Sequence, residues 1–313
     1  MRQPLRVALF GSPSFALHTL EVLRQYHELV LVVAQPDKPA GRGNKLTSPP
    51  VAKRAKEVGI RLEQPAKLKK NEEFSELVTS LDLDVAITAA YGKILPRALL
   101  DIPKHGFLNV HASLLPKYRG AAPIQWALIG GEEETGVSVM QTEAGLDTGP
   151  VRHVKRLDIE PHDTALTLFD KLSFVGAEGM REALDKLAAG ELPCHPQDDE
   201  AATFAPLLAK DDGEIRWNDA AREVYNRFRG VIAWPGSWTI CGDKTLKVHD
   251  LAVREDERKG EAGEVLSVSA NGILVATLEG AVLLKTVQPP NKPKMNAFDF
   301  ANGYGVKAGQ SLG

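Results

Sequence analysis

Leu29 to Ala34 reads LVLVVA, apolar at every position rather than at every second one. A strand of that kind is buried on both faces, which restricts it to a sheet with helices on either side. Val7 to Phe10, Val85 to Thr88, Phe107 to Val110 and Val137 to Gln141 are further short apolar runs. Between them lie stretches with helical spacing. Phe15, Leu17, Leu20 and Leu23 follow the first run, and residues 72–81 precede the third. Thr47-Ser48-Pro49-Pro50 predicts a helix start, with a hydroxyl cap and proline in the first turn. Strand and helix alternate at the spacing of βαβ units, so the first half is expected to form a mostly parallel sheet. Ligands of such sheets bind at the carboxyl ends of the strands. Ser12, Gln35, Tyr91, His111 and the loop 144–150 fall at ends of that kind.

The texture changes along the second half. A helix over 164–189 closes the first part, and residues 190–208 read as a linker with Pro193, Pro196, Pro206 and a Gln-Asp-Asp-Glu run. One helix, 219–229, then precedes short strands at 246–251, 263–268, 273–278 and 281–287, separated by Gly-Asp, Asn-Gly and Glu-Gly turns. The expected fold class is α/β, with a Rossmann-like, mostly parallel sheet domain over 1–189. A linker over 190–208 then leads to a small OB-like β-barrel domain over 209–313. The chain has 313 residues, 43% hydrophobic and 25% charged, a profile of neither a disordered nor a membrane protein. No apolar run approaches the roughly 20 residues that cross a bilayer, so no membrane partner is expected. The N-terminal MRQPLRVALFGSP is basic, but its apolar part stops at Gly11, which fits a first strand and not a signal peptide. Cys194 and Cys241 lie far apart without CxxC spacing, so neither a disulfide framework nor a zinc site is expected and a cytoplasmic location fits. Net charge is −3, and residues 209–313 carry 14 Lys+Arg against 14 Asp+Glu. A nucleic-acid contact would therefore have to use local basic patches.

Three side chains carry the chemistry. Asn109 and His111 are two residues apart at the end of one strand, on the same face because side chains alternate. The run 137–141 leads into the Gly-rich loop 144–150, which holds Asp147. Taken singly, each has a plain structural use: a bonded histidine, a capping asparagine, an Asx turn. Together they suit a reaction that moves protons while a tetrahedral oxyanion forms and collapses, that is, acyl transfer. A second signal is Gln35 to Lys45, QPDKPAGRGNK, a long loop in which Lys38, Arg42 and Lys45 suit a phosphate-rich ligand. Lys292 and Lys294 form a weaker basic pair, better read as surface solvation. There is no G-x-G-x-x-G, no Walker sequence and no Gly-x-Ser-x-Gly elbow, which disfavours a nicotinamide dehydrogenase and a serine hydrolase.

Asn109-Val110-His111-Ala112-Ser113-Leu114-Leu115-Pro116, with Arg119-Gly120-Ala121-Ala122-Pro123 and Gly145-Leu146-Asp147-Thr148-Gly149, resembles the 10-formyltetrahydrofolate-dependent formyltransferases. Phe10 to Pro13, Gln35 to Gly43, Ala89 to Pro96 and Trp234-Pro235-Gly236-Ser237-Trp238 are similar to the methionyl-tRNA branch of that superfamily. The chain departs from the family pattern at Ser12, where Thr is usual, and at Ala112, where Gly is usual. The resemblance implies formylation of the methionine amine on initiator methionyl-tRNA, with 10-formyltetrahydrofolate as donor and no metal. It implies catalytic roles for Asn109, His111 and Asp147. Ser113, Leu114, Leu115 and Pro116 would line the folate site, with Tyr91, Gly92, Ile94, Leu95 and the loop 142–147 enclosing the pterin. Lys38, Arg42 and Lys45 would meet the acceptor-stem end of the tRNA, and the second domain its body. With no long exposed apolar stripe in the sequence, a monomer is expected.

Three rivals remain. A glycinamide ribonucleotide transferase would share the trio but needs no second domain. A folate-dependent enzyme acting on an amino sugar nucleotide or other small amine could carry an OB-like domain but not the 37–45 loop. A non-catalytic RNA-binding protein would have no use for an intact trio.

Overall fold

The structure, a computed structural model, describes residues 4–40, 45–256 and 260–313. The chain forms two compact units: residues 1–123, 134–159 and 169–205 make the first, and residues 124–133, 160–168 and 206–313 the second. Along the chain come β1 (Arg6–Gly11), α1 (Leu17–Tyr26), β2 (Glu28–Val33), β3 (Lys38–Ala40), β4 (Lys45–Thr47), α2 (Pro50–Glu57) and β5 (Leu62–Glu63). They are followed by α3 (Glu72–Ser80), β6 (Val85–Ala89), α4 (Arg97–Leu100), β7 (Phe107–His111), β8 (Arg119–Gly120) and α5 (Pro123–Ile129). β9 (Glu134–Gln141), β10 (Val151–Asp158), α6 (Ala165–Ala188) and β11 (Phe204–Ala205) come next.

The main sheet has the order β10-β9-β7-β6-β1-β2-β5. Its pairs from β7 through β5 are parallel, whereas β9 runs antiparallel to β7 and β10 antiparallel to β9. The sheet is therefore mostly parallel, as the apolar runs predict. β10 was not expected. Its sequence, VRHVKRLD, sits at the sheet edge with charged side chains partly in water, so it lacks an apolar signature. One face of the sheet packs Phe10 and Phe107 with Phe74 of α3, Leu99 and Leu100 of α4, and Tyr91. Phe10 meets Phe74, Tyr91 and Phe107 edge-on at ring separations of 6.4, 5.6 and 5.1 Å. On the other face Gly176 of α6 lies against Val110, where a Cβ would come within 2.7 Å of the valine methyl.

Two local expectations change. The helix predicted after Thr47 begins at Pro50 with no side-chain cap, because the Ser48 hydroxyl donates instead to Asp37 Oδ2 at 2.6 Å. The segment 35–45 is not one long loop: β3 and β4 pair antiparallel as a hairpin, Lys38 opposite Thr47 and Ala40 opposite Lys45. Residues 190–205 are bonded into the first unit. His195 and Val151 exchange both backbone hydrogen bonds at 2.8 and 2.9 Å, and β11 runs parallel to β8.

The second unit contains α7 (Ala221–Val231), β12 (Ser237–Cys241), β13 (Lys244–Arg254), β14 (Val265–Ser269), β15 (Gly272–Ala276), β16 (Ala281–Gln288), β17 (Met295–Asn296) and α8 (Ala297–Tyr304). Five antiparallel strands follow the order β12-β13-β16-β15-β14, and β17 pairs with β16. Strands and helices share one core that includes Val248, Leu251, Val275, Leu284, Phe228 and Phe300. Residues 309–313 fill the seam between the end strands. Val265 N–H of β14 donates to the Gln310 carbonyl and Leu312 N–H to that of Gly263, both at 2.8 Å, while Gly313 N–H donates to Ile240 of β12 at 2.9 Å. The expected helix at 219–229 is α7. α8 is a second one, with Asn296 capping Phe298 N–H at 2.7 Å and Gly305 in the left-handed region at its C-terminal end.

Candidate active site

Phe107, Asn109 and His111 share one face of β7, and the row passes from the aromatic core at Phe107 to the strand end at His111. In the paired register Thr88 of β6 stands beside Asn109. The buried Thr88 hydroxyl donates to Asn109 Oδ1 at 2.8 Å. An oxygen engaged in that way leaves the Asn109 Nδ2 as the end that can donate to a ligand.

His111 is 5% exposed. Its Nε2 lies 2.9 Å from the Tyr118 carbonyl. A carbonyl only accepts, so Nε2 carries the proton and Nδ1 is the ring nitrogen that can gain or lose one. Nδ1 faces Asp147 Oδ2 at 3.7 Å. That distance is too long for a hydrogen bond. The same carboxylate oxygen accepts from the Gly120 N–H at 2.9 Å. Asp147 has φ +52°, in the left-handed region that costs a non-glycine residue strain. The structure thus brings the three residues together on the frame of β7, β8 and the 144–150 loop.

The remaining predicted positions divide into several groups. Ser113 to Pro116 leave β7 in a tight turn. Ser113 Oγ donates to the Lys117 carbonyl at 2.6 Å, and Ser138 of β9 donates to the Ser113 carbonyl and accepts from Leu115 N–H at 2.8 and 3.0 Å. Ser113 is buried, whereas Leu114, Leu115 and Pro116 keep part of their surface accessible. Leu114 fits against Gly136, where a Cβ would stand 2.6 Å from its methyl and 2.2 Å from the Lys155 carbonyl. Tyr91 and Leu95 belong to the core of the main sheet. Burial pushes the Tyr91 hydroxyl up to about 12. Gly92 has φ +74° and leaves room for Gln35, whose amide donates to the Tyr91 carbonyl at 2.8 Å. Ile94 is 91% exposed and Leu146 66%, so both apolar side chains are available to a ligand rather than used by the fold.

Lys38 and Lys45 stand exposed on one face of the hairpin, with Pro39 and Leu46 on the other. Lys38 donates to Gln35 Oε1 at 3.0 Å. Burial, with Lys38 nearby, lowers the pKa of Lys93, which donates to the Pro65 and Ala66 carbonyls. Asp37 anchors the hairpin base through Ser48 and the Gln64 amide, whose hydrogen bonds hold its carboxyl below the usual range. Arg42 lies outside the described residues. Thr88 and Gln197, which the sequence reading did not single out, also shape the site, as does Gly120, which it quoted only within a motif. Thr88 was hidden inside an apolar run, and Gln197 inside the supposed linker.

Comparison with known proteins bears on this arrangement. Residues 5–184 match the formyl transferase family model and residues 207–305 the formyl transferase C-terminal domain. A methionyl-tRNA formyltransferase of Deinococcus radiodurans is 52% identical over 304 residues, 97% of this chain and 94% of the relative. One of Thermus thermophilus is 46% identical over 309 residues, 99% of each. Among solved structures, an N-formyltransferase of Helicobacter canadensis in complex with folinic acid and dTDP-3-aminofucose has a TM-score of 0.70 at 16% identity, covering 91% of this chain and 99% of that one. That likeness concerns the fold alone. Matched in both of its parts and near full length by such relatives, the chain belongs to the formyl transferase family.

Proposed function

We propose that this chain transfers the formyl group of 10-formyltetrahydrofolate to the α-amine of methionine on initiator methionyl-tRNA, in the cytoplasm and as a monomer. The observation that carries the reading is the convergence of Asn109, His111 and Asp147 at one strand end. Support for the acceptor comes from relatives that carry the methionyl-tRNA name over nearly their whole length.

The amine nitrogen attacks the formyl carbon and the bond from that carbon to N10 of the folate breaks. The amine loses one proton and N10 gains one, so the protein moves protons without a net change. Asn109 Nδ2, oriented by Thr88, donates to the formyl oxygen as it becomes an oxyanion. His111, with Nε2–H held by Tyr118, presents Nδ1 to the reacting atoms. Asp147 supports positive charge on that ring and manages the departing amine proton through water. Ser113 to Pro116 and the exposed Ile94 and Leu146 suit the folate rings. Lys38, Arg42 and Lys45 suit the acceptor-stem phosphates, and the second unit suits the tRNA body.

The test is formyl transfer from 10-formyltetrahydrofolate to initiator and elongator methionyl-tRNA in parallel, with an amino sugar nucleotide as a third acceptor. Formylation confined to the initiator is expected, weakened by Arg42→Ala. Transfer to the sugar nucleotide alone would keep the chemistry and overturn the acceptor. No transfer to any amine would overturn the reaction.

A further inference from the structure

We propose that Gln197 is the positioning residue of the catalytic loop: its side-chain amide clamps residues 147–149 and holds Asp147 toward His111. This rests on the reading of Asn109, His111 and Asp147 as the formyl-transfer site.

Gln197 Nε2 donates to the Asp147 carbonyl at 2.8 Å and to the Gly149 carbonyl at 2.7 Å. Its Oε1 accepts from Arg119 Nε at 3.0 Å. Carbonyls only accept and a guanidinium only donates, so the amide has a single orientation that satisfies all three partners. Arg119 is itself 4% exposed and pairs with Asp199 at 2.8 Å. The clamp is built on a buried, fixed cation rather than on a mobile surface group.

Asp147 calls for such a clamp because its backbone stands at φ +52°, in the left-handed region that strains an L residue. Gly149 cannot move aside easily, since a Cβ there would lie 1.9 Å from the Gln141 carbonyl and its backbone already rests on the end of β9. Asp147 is pinned twice, its main-chain oxygen by Gln197 and its carboxylate by Gly120 N–H. The clamping segment is held on both sides. The His195–Val151 pair fixes it before Gln197. After it, Thr203 O accepts Arg119 N–H at 2.8 Å and Ala205 O accepts Ala121 N–H at 2.9 Å. The supposed linker is thus the rear wall of the site, and Gln197 is its projecting side chain. Gln197 touches no reacting atom and acts through Asp147.

The experiment compares wild type, Gln197→Ala and Gln197→Glu, each with Asp147 intact and with Asp147→Asn. Gln197→Glu still accepts from Arg119 but sets a carboxylate against two carbonyls, so it removes the clamp while sparing the buried cation. With Asp147 intact, kcat is expected to fall on the order of ten- to a hundredfold, the cost of a misplaced group. KM for 10-formyltetrahydrofolate should stay within about twofold of wild type, because uniform binding is untouched. With Asp147→Asn already present, either change at Gln197 should cost nothing further, because the two act as one unit. Backbone amide exchange should quicken over 144–149 and remain unchanged over 137–141.

An equal loss in both Asp147 backgrounds, or wild-type kcat in Gln197→Glu, would overturn the proposal. Unaltered exchange over 144–149 in the folded variants would do so whatever the activity. If Gln197→Ala does not fold, Gln197→Glu carries the same comparison. Wild-type turnover in the same assay reports separately on the formyl-transfer reading, and the exchange measurement remains decisive for the clamp if that turnover is absent.

Discussion

Asn109 is oriented before any substrate arrives. One end of its amide is held by the Thr88 hydroxyl, and the other is left to donate. Thr88→Val keeps the shape of the side chain and removes that hydrogen bond, a loss of about 1 kcal/mol or roughly fivefold in kcat. Steady-state kinetics at saturating donor would detect it, and an unchanged kcat would mean that the amide is oriented by something else. Asn109→Ala removes the donor itself, for which oxyanion-hole precedent gives a fall of roughly 10²–10³ in kcat with a much smaller change in donor KM. At this scale much of the site was legible. Asn109 and His111 are polar groups at the end of an apolar run, and Asp147 lies in the Gly-rich loop that follows another, so the three stand out together in the sequence. Thr88 was not legible, because a β-branched residue inside VAITA is an ordinary strand former and only the register of β6 with β7 shows what its hydroxyl meets. Tyr91 and Leu95 were read as ligand contacts, yet their side chains pack in the core. Strand ends serve the sheet and the site together, and sequence alone does not apportion a residue between them.

Among the elements, the two-residue ladder of β8 and β11 is small but frames the site. Gly120 within it has φ +124°, and a Cβ there would stand 2.6 Å from the Ala205 carbonyl. Gly120→Ala should therefore disturb both the ladder and the N–H that holds Asp147. A destabilisation of about 1–3 kcal/mol is expected from strain of this kind, together with a fall in kcat larger than the fall in stability explains. Thermal unfolding and turnover measured on the same samples would separate the two effects. The long apolar strands could be read from sequence because burial on both faces leaves an unbroken pattern. β8, β11 and the hairpin of β3 and β4 could not, since strands of two or three residues are too short to show a period. Gln197 escaped for the same reason: proline-rich chain bonded along a wall looks like chain that merely connects.

For the molecule as a whole, acid sensitivity should begin with histidine. Burial lowers the pKa of His27 in the first unit and of His249 in the second. A lowered folded-state pKa means that the unfolded chain takes up the proton first. Stability from these groups is complete above the ordinary histidine value near about 6.5 and drains away as pH falls below it, toward the folded values. Leu5 N–H already donates to His27 Nδ1, at 3.4 Å, which suits the neutral ring. His27→Gln should flatten the fall in urea midpoint between pH 7 and pH 5.5 when followed by far-UV circular dichroism. The four tryptophans, Trp126, Trp217, Trp234 and Trp238, all belong to the second unit. Their fluorescence should keep its pH dependence in His27→Gln and lose part of it in His249→Gln. A wild-type slope by circular dichroism in His27→Gln would remove His27 from the account.

The seam closed by residues 309–313 has a consequence for the order in which the chain is made. Synthesis runs from the amino end, so β14 leaves the ribosome with its outer edge not yet covered by this segment, whereas β12 already meets earlier chain through Ile215 N–H and the Trp238 carbonyl. An uncovered edge is a template for pairing with a neighbouring chain. The second unit is therefore most exposed to misassembly during the interval between the emergence of β14 and that of residue 313, and a ribosome stalled in that interval would display an adhesive sheet.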